Sequence, residues 1–218
     1  MKTIDKMSRL CGMLEKAFRV LNAELFEGKL PMPIITVVPS SRSYAHYTVF
    51  DAWDTKNGGK REINIASGTL DRPIENIVAS LVHEMVHMNN DLILNLQDTS
   101  NKGVYHNRLF RQEAEAHGLI VTRSEKYGWS HTEPGDELLD VILEHEDVFR
   151  EIELCRTNPY PSAVGIGSHT GSGGLTPITT GRNTHHRKYI CPCCGNSVRA
   201  TKAVNIGCLD CGCAMVEA

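Results

Sequence analysis

The chain has 218 residues, is 41% hydrophobic, and carries 23 basic against 26 acidic side chains, enough apolar material for one full core and a small second unit. The charge is uneven: residues 156–218 hold Arg156, Arg182, Arg187, Lys188, Arg199 and Lys202 against only Asp210 and Glu217. An acidic body of this kind excludes a general nucleic-acid clamp over residues 1–155 and assigns any contact with polyanions to the tail.

At the N-terminus, "MKTIDKMSRLCGMLEKAF" interrupts every apolar run with charge, and nowhere does the chain approach the roughly 18 apolar residues of a membrane span. The expectation is a cytoplasmic protein with no membrane partner. Leu10, Met13, Leu14, Phe18, Leu21 and Leu25 recur at helical spacing and predict an amphipathic helix over 7–26, ended by Gly28 and Pro31. "PIITVV" predicts a buried strand. "SYAHYTVFDAW" and "REINIAS" predict two more, with "DTKNGGK" as the turn between them.

Asp71 is the expected cap of a second helix, with Pro73 in its first turn and its end near Asn90. Residues 97–105 read as a polar loop, and His106 to about Gly118 as a third helix stopped by the glycine. "DELLDVILEHEDVF" predicts a fourth helix whose carboxylates make a solvated face. Residues 156–187, rich in Gly, Ser, Thr and Pro, read as a flexible linker. The order of helices and strands before it predicts an α+β domain over 1–155.

The second predicted helix contains "LVHEMVHMNN", residues 81–90. His83 and His87, four apart, lie one turn apart on one side of a helix, where both imidazoles can hold one metal ion. Glu84 is rotated by about 100° and faces the space beside that ion instead of binding it. Metal-assisted hydrolysis needs this arrangement: zinc acidifies a water and a neighbouring carboxylate takes its proton. A catalytic zinc also needs a third protein ligand. Asn90 and Ile93 stand where an extended metzincin motif requires glycine and histidine, so that class is excluded. His106, Glu113, Glu115 and His117 remain. On the predicted third helix His106, Phe110, Glu113 and His117 fall within about 60° of one another. His106 is favoured and Glu113 comes second, because a residue following the flexible Gly103 loop can be brought in without distorting two helices. Tyr105, Tyr127, His117 and His131 read as structural hydrogen-bonding groups.

The segments "LNAELFEGKLPMPIITV", "LVHEMVHMNND" and "YHNRLF" resemble the SprT-like (Spartan-type) zinc metallopeptidase family over roughly residues 10–155. The resemblance implies a zincin-like domain in which His83, His87 and His106 bind a catalytic zinc, Glu84 is the catalytic carboxylate and Phe110 is the aromatic that follows the third ligand. It also implies a protein or peptide substrate, including proteins crosslinked to DNA, and a C-terminal zinc ribbon.

"CPCCG" and "CLDCG" supply Cys191 and Cys194, then Cys208 and Cys211, two pairs of equal spacing separated by 13 residues and each followed by glycine. Such turns present four thiolates tetrahedrally to a structural zinc. Cys193 and Cys213 leave other combinations open. In residues 188–218, a segment too short for its own core, the metal supplies the folding energy. Arg187, Lys188, Arg199 and Lys202 offset the thiolate charge and could meet phosphates. The sequence therefore predicts a zinc metallopeptidase with one catalytic and one structural zinc and a ribbon suited to DNA. The other reading is a non-catalytic DNA- or protein-binding adaptor with two structural zinc sites.

Overall fold

The computed structural model describes residues 4–40, 43–156, 187–200 and 202–217, apart from the Arg199 side chain. They fall into two compact units, one within 1–179 and one within 180–218. The expected linker lies, for residues 157–186, outside the described residues. Among the described residues no helix is long and apolar enough to cross a membrane.

The first unit is mixed α+β. Helix α1, Met7–Leu25, buries Leu10, Met13, Leu14, Ala17, Phe18 and Leu21 along one stripe, each large side chain contributing about 1.5–3 kcal/mol. After it the Asn22 side chain clamps both the amide and the carbonyl of Leu30, which fixes the chain's entry into the sheet. Strand β1, Ile34–Thr36, is the first of that sheet. Next come β2, Ala45–Tyr47; β3, Trp53–Thr55; β4, Gly58–Lys60; and β5, Glu62–Ile65. The sheet runs β1-β5-β2, with β1 parallel and β2 antiparallel to the central β5.

The single strand expected over Tyr44–Trp53 is broken. Thr48 ends β2, because its hydroxyl accepts the Glu62 amide at 2.9 Å and donates to the Phe50 carbonyl at 3.1 Å. A side chain thus takes over where the ladder would continue, and β3 pairs separately with β4.

Helix α2, Ile74–Asn89, has Pro73 at its N-cap position, and no side chain caps it. The expected cap, Asp71, lies too early, since the Pro73 carbonyl already accepts the amides of Asn76 and Ile77. Arg72 ties this entry down instead, donating to the Thr69 carbonyl and the Ser80 hydroxyl. The helix continues as a π turn over Asn90–Leu94 before Asn95, at φ 50°, ends it. It is buried on almost every side, its polar Glu75, Ser80, Glu84 and Asn89 included.

The region after α2 departs most from the sequence reading. The polar loop contains two short strands, β6 at Thr99–Ser100 and β7 at Tyr105–His106, paired antiparallel. His106 is therefore a strand residue, and the third helix, α3, spans Arg108–Ala116. Asn107 caps it by accepting the amides of Leu109 and Phe110, a role asparagine fills better than histidine. A hairpin that the sequence reading passed over follows: β8, Leu119–Ser124, and β9, Gly128–Pro134. The second sheet runs β6-β7-β9-β8. Helix α4, Asp136–Glu144, buries Leu138, Val141 and Ile142 and leaves Asp136, Glu137, Asp140 and Glu144 solvated, as its pattern implied.

In the second unit, β10 (Arg187–Ile190), β11 (Ser197–Ala200) and β12 (Val216–Glu217) form a sheet in the order β11-β10-β12. Two knuckles of one design adjoin it. The Cys191 amide donates to the Asn196 carbonyl and the Gly195 amide to the Cys191 carbonyl. The Cys208 amide donates to Cys213 and the Gly212 amide to Cys208. Gly195 and Gly212 adopt φ of 76° and 65°, the left-handed turn that each knuckle needs.

Candidate metal centres

Helix α2 lies against β2, β5, β8, β9, α1, α3 and α4, so its side chains reach the two larger sheets of the first unit. His83 and His87 leave it on the side where β7 ends. The Nε2 atom of His106 lies 3.1 Å from Nε2 of His83 and 3.1 Å from Nε2 of His87. The outer nitrogens of the helical pair are held from behind. His87 Nδ1 donates to Asp98 Oδ2 at 2.7 Å, and Asn90 donates to the same oxygen at 2.9 Å. His83 Nδ1 is hydrogen-bonded to Thr132 Oγ1 at 3.0 Å. In the tautomer with a proton on each Nδ1, the Nε2 lone pairs converge on one point.

Converging lone pairs repel unless a cation lies between them. Tetrahedral ligands at about 2.0–2.1 Å from zinc stand roughly 3.3 Å apart, close to the spacing found here. The three imidazoles could therefore hold a metal ion, and the geometry is compatible with zinc. Phe110, fully buried, sets its ring 4.5–4.7 Å from all three imidazoles and walls off one side.

The protonation energetics agree with this. Burial first, then His87 and His106, holds the His83 pKa well below its ordinary value. Burial, then His87, brings His106 down to about 4. For His87 burial is the largest single influence and pulls the pKa down, but the hydrogen bond to Asp98 and the charges of Glu84 and Asp98 together outweigh it, so its pKa rises. Two of the three rings thus stay neutral and able to donate a lone pair.

Of the other residues considered for the third position, Glu113, Glu115 and His117, none joins the group. His117 stacks on Phe26 with centroids 4.1 Å apart and donates to the Glu113 carbonyl. Glu115 pairs with Arg111. Of the residues read as structural hydrogen-bonding groups, His131 pairs with Glu133, and Tyr105 accepts from Arg123. Asp98 and Thr132 were not anticipated. Alternation over 119–134 was a signal for the strand that carries Thr132, but nothing in the pattern around Asp98 marks it.

Gly128 has a positional role that sequence reading also missed. It forms a parallel bridge with His106, and a Cβ there would come within 2.1 Å of the His106 carbonyl oxygen. The strand carrying His106 seats against β9 because that position has no side chain.

Glu84 is buried beside β2. Burial above all pushes its carboxyl up to about 7, opposed by His87 and by the Tyr47 backbone N–H that donates to it. The β2 register explains that donor. Tyr44 and Thr48 bond across to β5, so by alternation the backbone groups of Ala45 and Tyr47 point to the opposite, free edge. The Tyr47 hydroxyl also donates to Asp91 Oδ2 at 2.6 Å, at the end of the same helix.

In the second unit the sulfurs of Cys191, Cys194, Cys208 and Cys211 all lie within 4.8 Å of one another and could hold a metal ion. The Cys194 amide, 3.4 Å from Cys191 Sγ, does most to draw the Cys191 thiol down to about 6. The Cys211 thiol is pushed up, first by Cys194, so further thiolates are disfavoured without a cation to offset them. Of the basic residues near this site, Arg187 is paired with Glu217 at 2.8 Å, while Lys188 and Lys202 are exposed. Comparison of the chain with protein-family models, with curated proteins and with solved structures found no match.

Proposed function

We propose that the chain is a zinc-dependent metallopeptidase of the SprT-like type, with a zincin-like first unit and a zinc ribbon as the second. The observation that carries this reading is the convergence of three imidazole Nε2 atoms beside the helix turn that bears the buried Glu84 carboxyl. Zinc held by His83, His87 and His106 would supply Lewis acidity, activating a water near neutral pH and polarising a carbonyl. Glu84 then holds the proton lost by the attacking water at a carboxyl oxygen and returns it to the amide nitrogen as the C–N bond breaks.

The outer edge of β2 suits an extended peptide, which would pair with the outward backbone groups of Ala45 and with the Tyr47 carbonyl, the Tyr47 N–H being held by Glu84. The exposed Lys188 and Lys202 favour substrates held near DNA, in keeping with the family resemblance.

The test uses the full chain with zinc, incubated with a DNA-bound basic protein with and without single-stranded DNA, the products being read by mass spectrometry. Cleavage is expected from the native chain. The E84Q variant should lose roughly 10²–10⁴-fold in kcat with its zinc content and melting temperature unchanged. Equal activity in both proteins, or no cleavage of any protein substrate by the native chain, overturns the reading in favour of an adaptor with two structural zinc sites.

A further inference from the structure

Cys193 and Cys213 belong to no part of the four-thiol set, yet both approach it. Cys213 Sγ lies 3.4 Å from Cys191 Sγ. That is closer than the 3.6 Å between Cys194 and Cys208, both members of the set. The sulfurs of Cys191, Cys193 and Cys213 also lie within 4.8 Å of one another. The knuckles explain the clustering. Each contributes one extra cysteine: Cys193 inside the first loop, and Cys213 directly after the left-handed Gly212. The bond from the Cys208 amide to the Cys213 carbonyl anchors the backbone of Cys213, and its sulfur ends beside Cys191 of the other knuckle.

We propose that Cys191, Cys193 and Cys213 form a second thiolate site, which takes a thiophilic divalent cation such as Zn²⁺ or Cd²⁺ and shares the Cys191 sulfur with the four-thiol site. The proposal rests on the reading of that four-thiol set as a metal site. A thiolate sulfur has lone pairs enough to bridge two cations, and soft sulfur ligands select cations of this class. The charge balances. Filling the second site breaks the S–H bonds of Cys193 and Cys213, forms their bonds to the cation and releases two protons to solvent. Two new negative charges thus meet two positive ones, and the ribbon's net charge is the same with either one cation or two. Three thiolates leave one position of a tetrahedron open, and Cys193 is exposed. The second cation therefore exchanges with solvent while the first stays structural.

The test titrates the reduced full chain with Cd²⁺. Bound ions are counted by native mass spectrometry, and free cysteines are mapped by alkylation and peptide analysis. The native chain should bind one more ion than the C193S/C213S double variant. In the native chain, Cys193 and Cys213 should become protected together, at a higher Cd²⁺ concentration than Cys194, Cys208 and Cys211. Equal ion counts, or Cys193 and Cys213 still alkylated at saturating Cd²⁺ with the four-thiol set protected, overturn the proposal alone. If Cys194, Cys208 and Cys211 are themselves alkylated at saturation, the four-thiol reading falls and the shared site with it. The alkylation map comes from the native chain, so it does not depend on how the double variant folds.

Discussion

At the scale of single residues, the histidines of the first unit owe their placement to groups behind them. Asp98 keeps His87 in the tautomer that aims Nε2 inward, and Asn90 holds the Asp98 carboxylate in turn. The D98N variant keeps the shape but gives up the charge-assisted bond. Zinc affinity should fall roughly 10–100-fold, as measured by competition with a chromophoric chelator, and an unchanged affinity would remove Asp98 from the site. His83, Glu84 and His87 were legible in the sequence because helical spacing converts directly into geometry. Asp98 and Thr132 were not, because their partners lie 11 and 49 residues away and only the tertiary fold brings them together. His106 was chosen for its position after a loop, and the structure puts it in the group for a different reason, as the end of a strand.

Among the elements, β7, which carries His106, has little of its own to hold it. It is two residues long, and its register depends on β6 on one side and on the Gly128 bridge on the other. The G128A variant forces a side chain against the His106 carbonyl at a backbone angle that only glycine adopts readily. We expect loss of the bound metal from the first unit with α1 and its core intact, checked by metal analysis beside circular dichroism. Retained zinc would mean that His106 is positioned by other contacts. The cap of α3 offers a milder perturbation. N107A removes the acceptor for two amides and should cost about 1 kcal/mol in denaturant unfolding. Helices α1, α2 and α4 were readable because each carries a long apolar stripe. The short strands were harder, since two or three residues provide too few alternations to register.

On the scale of the whole molecule, the two units differ in what makes them fold. The first has an extensive apolar core drawn from its two larger sheets and all four helices. In the second, Tyr189, Cys191 and Cys208 are the buried apolar side chains among the described residues. Removing metal with a chelator should therefore collapse the ribbon's amide NMR dispersion while hydrogen exchange in α1 and α2 stays slow. A ribbon that kept its dispersion would show that the knuckles fold on hydrogen bonds alone. This division into a large α+β unit and a small cysteine-rich one could be read from composition, because cysteine crowding and apolar periodicity occupy separate stretches of the chain.

Tyr47 joins strand β2 to helix α2 twice, through its backbone N–H to Glu84 and through its hydroxyl to Asp91. The two anchors lie about two helical turns apart along α2, so β2 is stitched to the helix and cannot slide along it or tilt away from it independently. A chain docking on the edge of β2 would thus press on the same backbone that holds Glu84, and how tightly that edge is occupied would set how freely the Glu84 carboxyl can reorient.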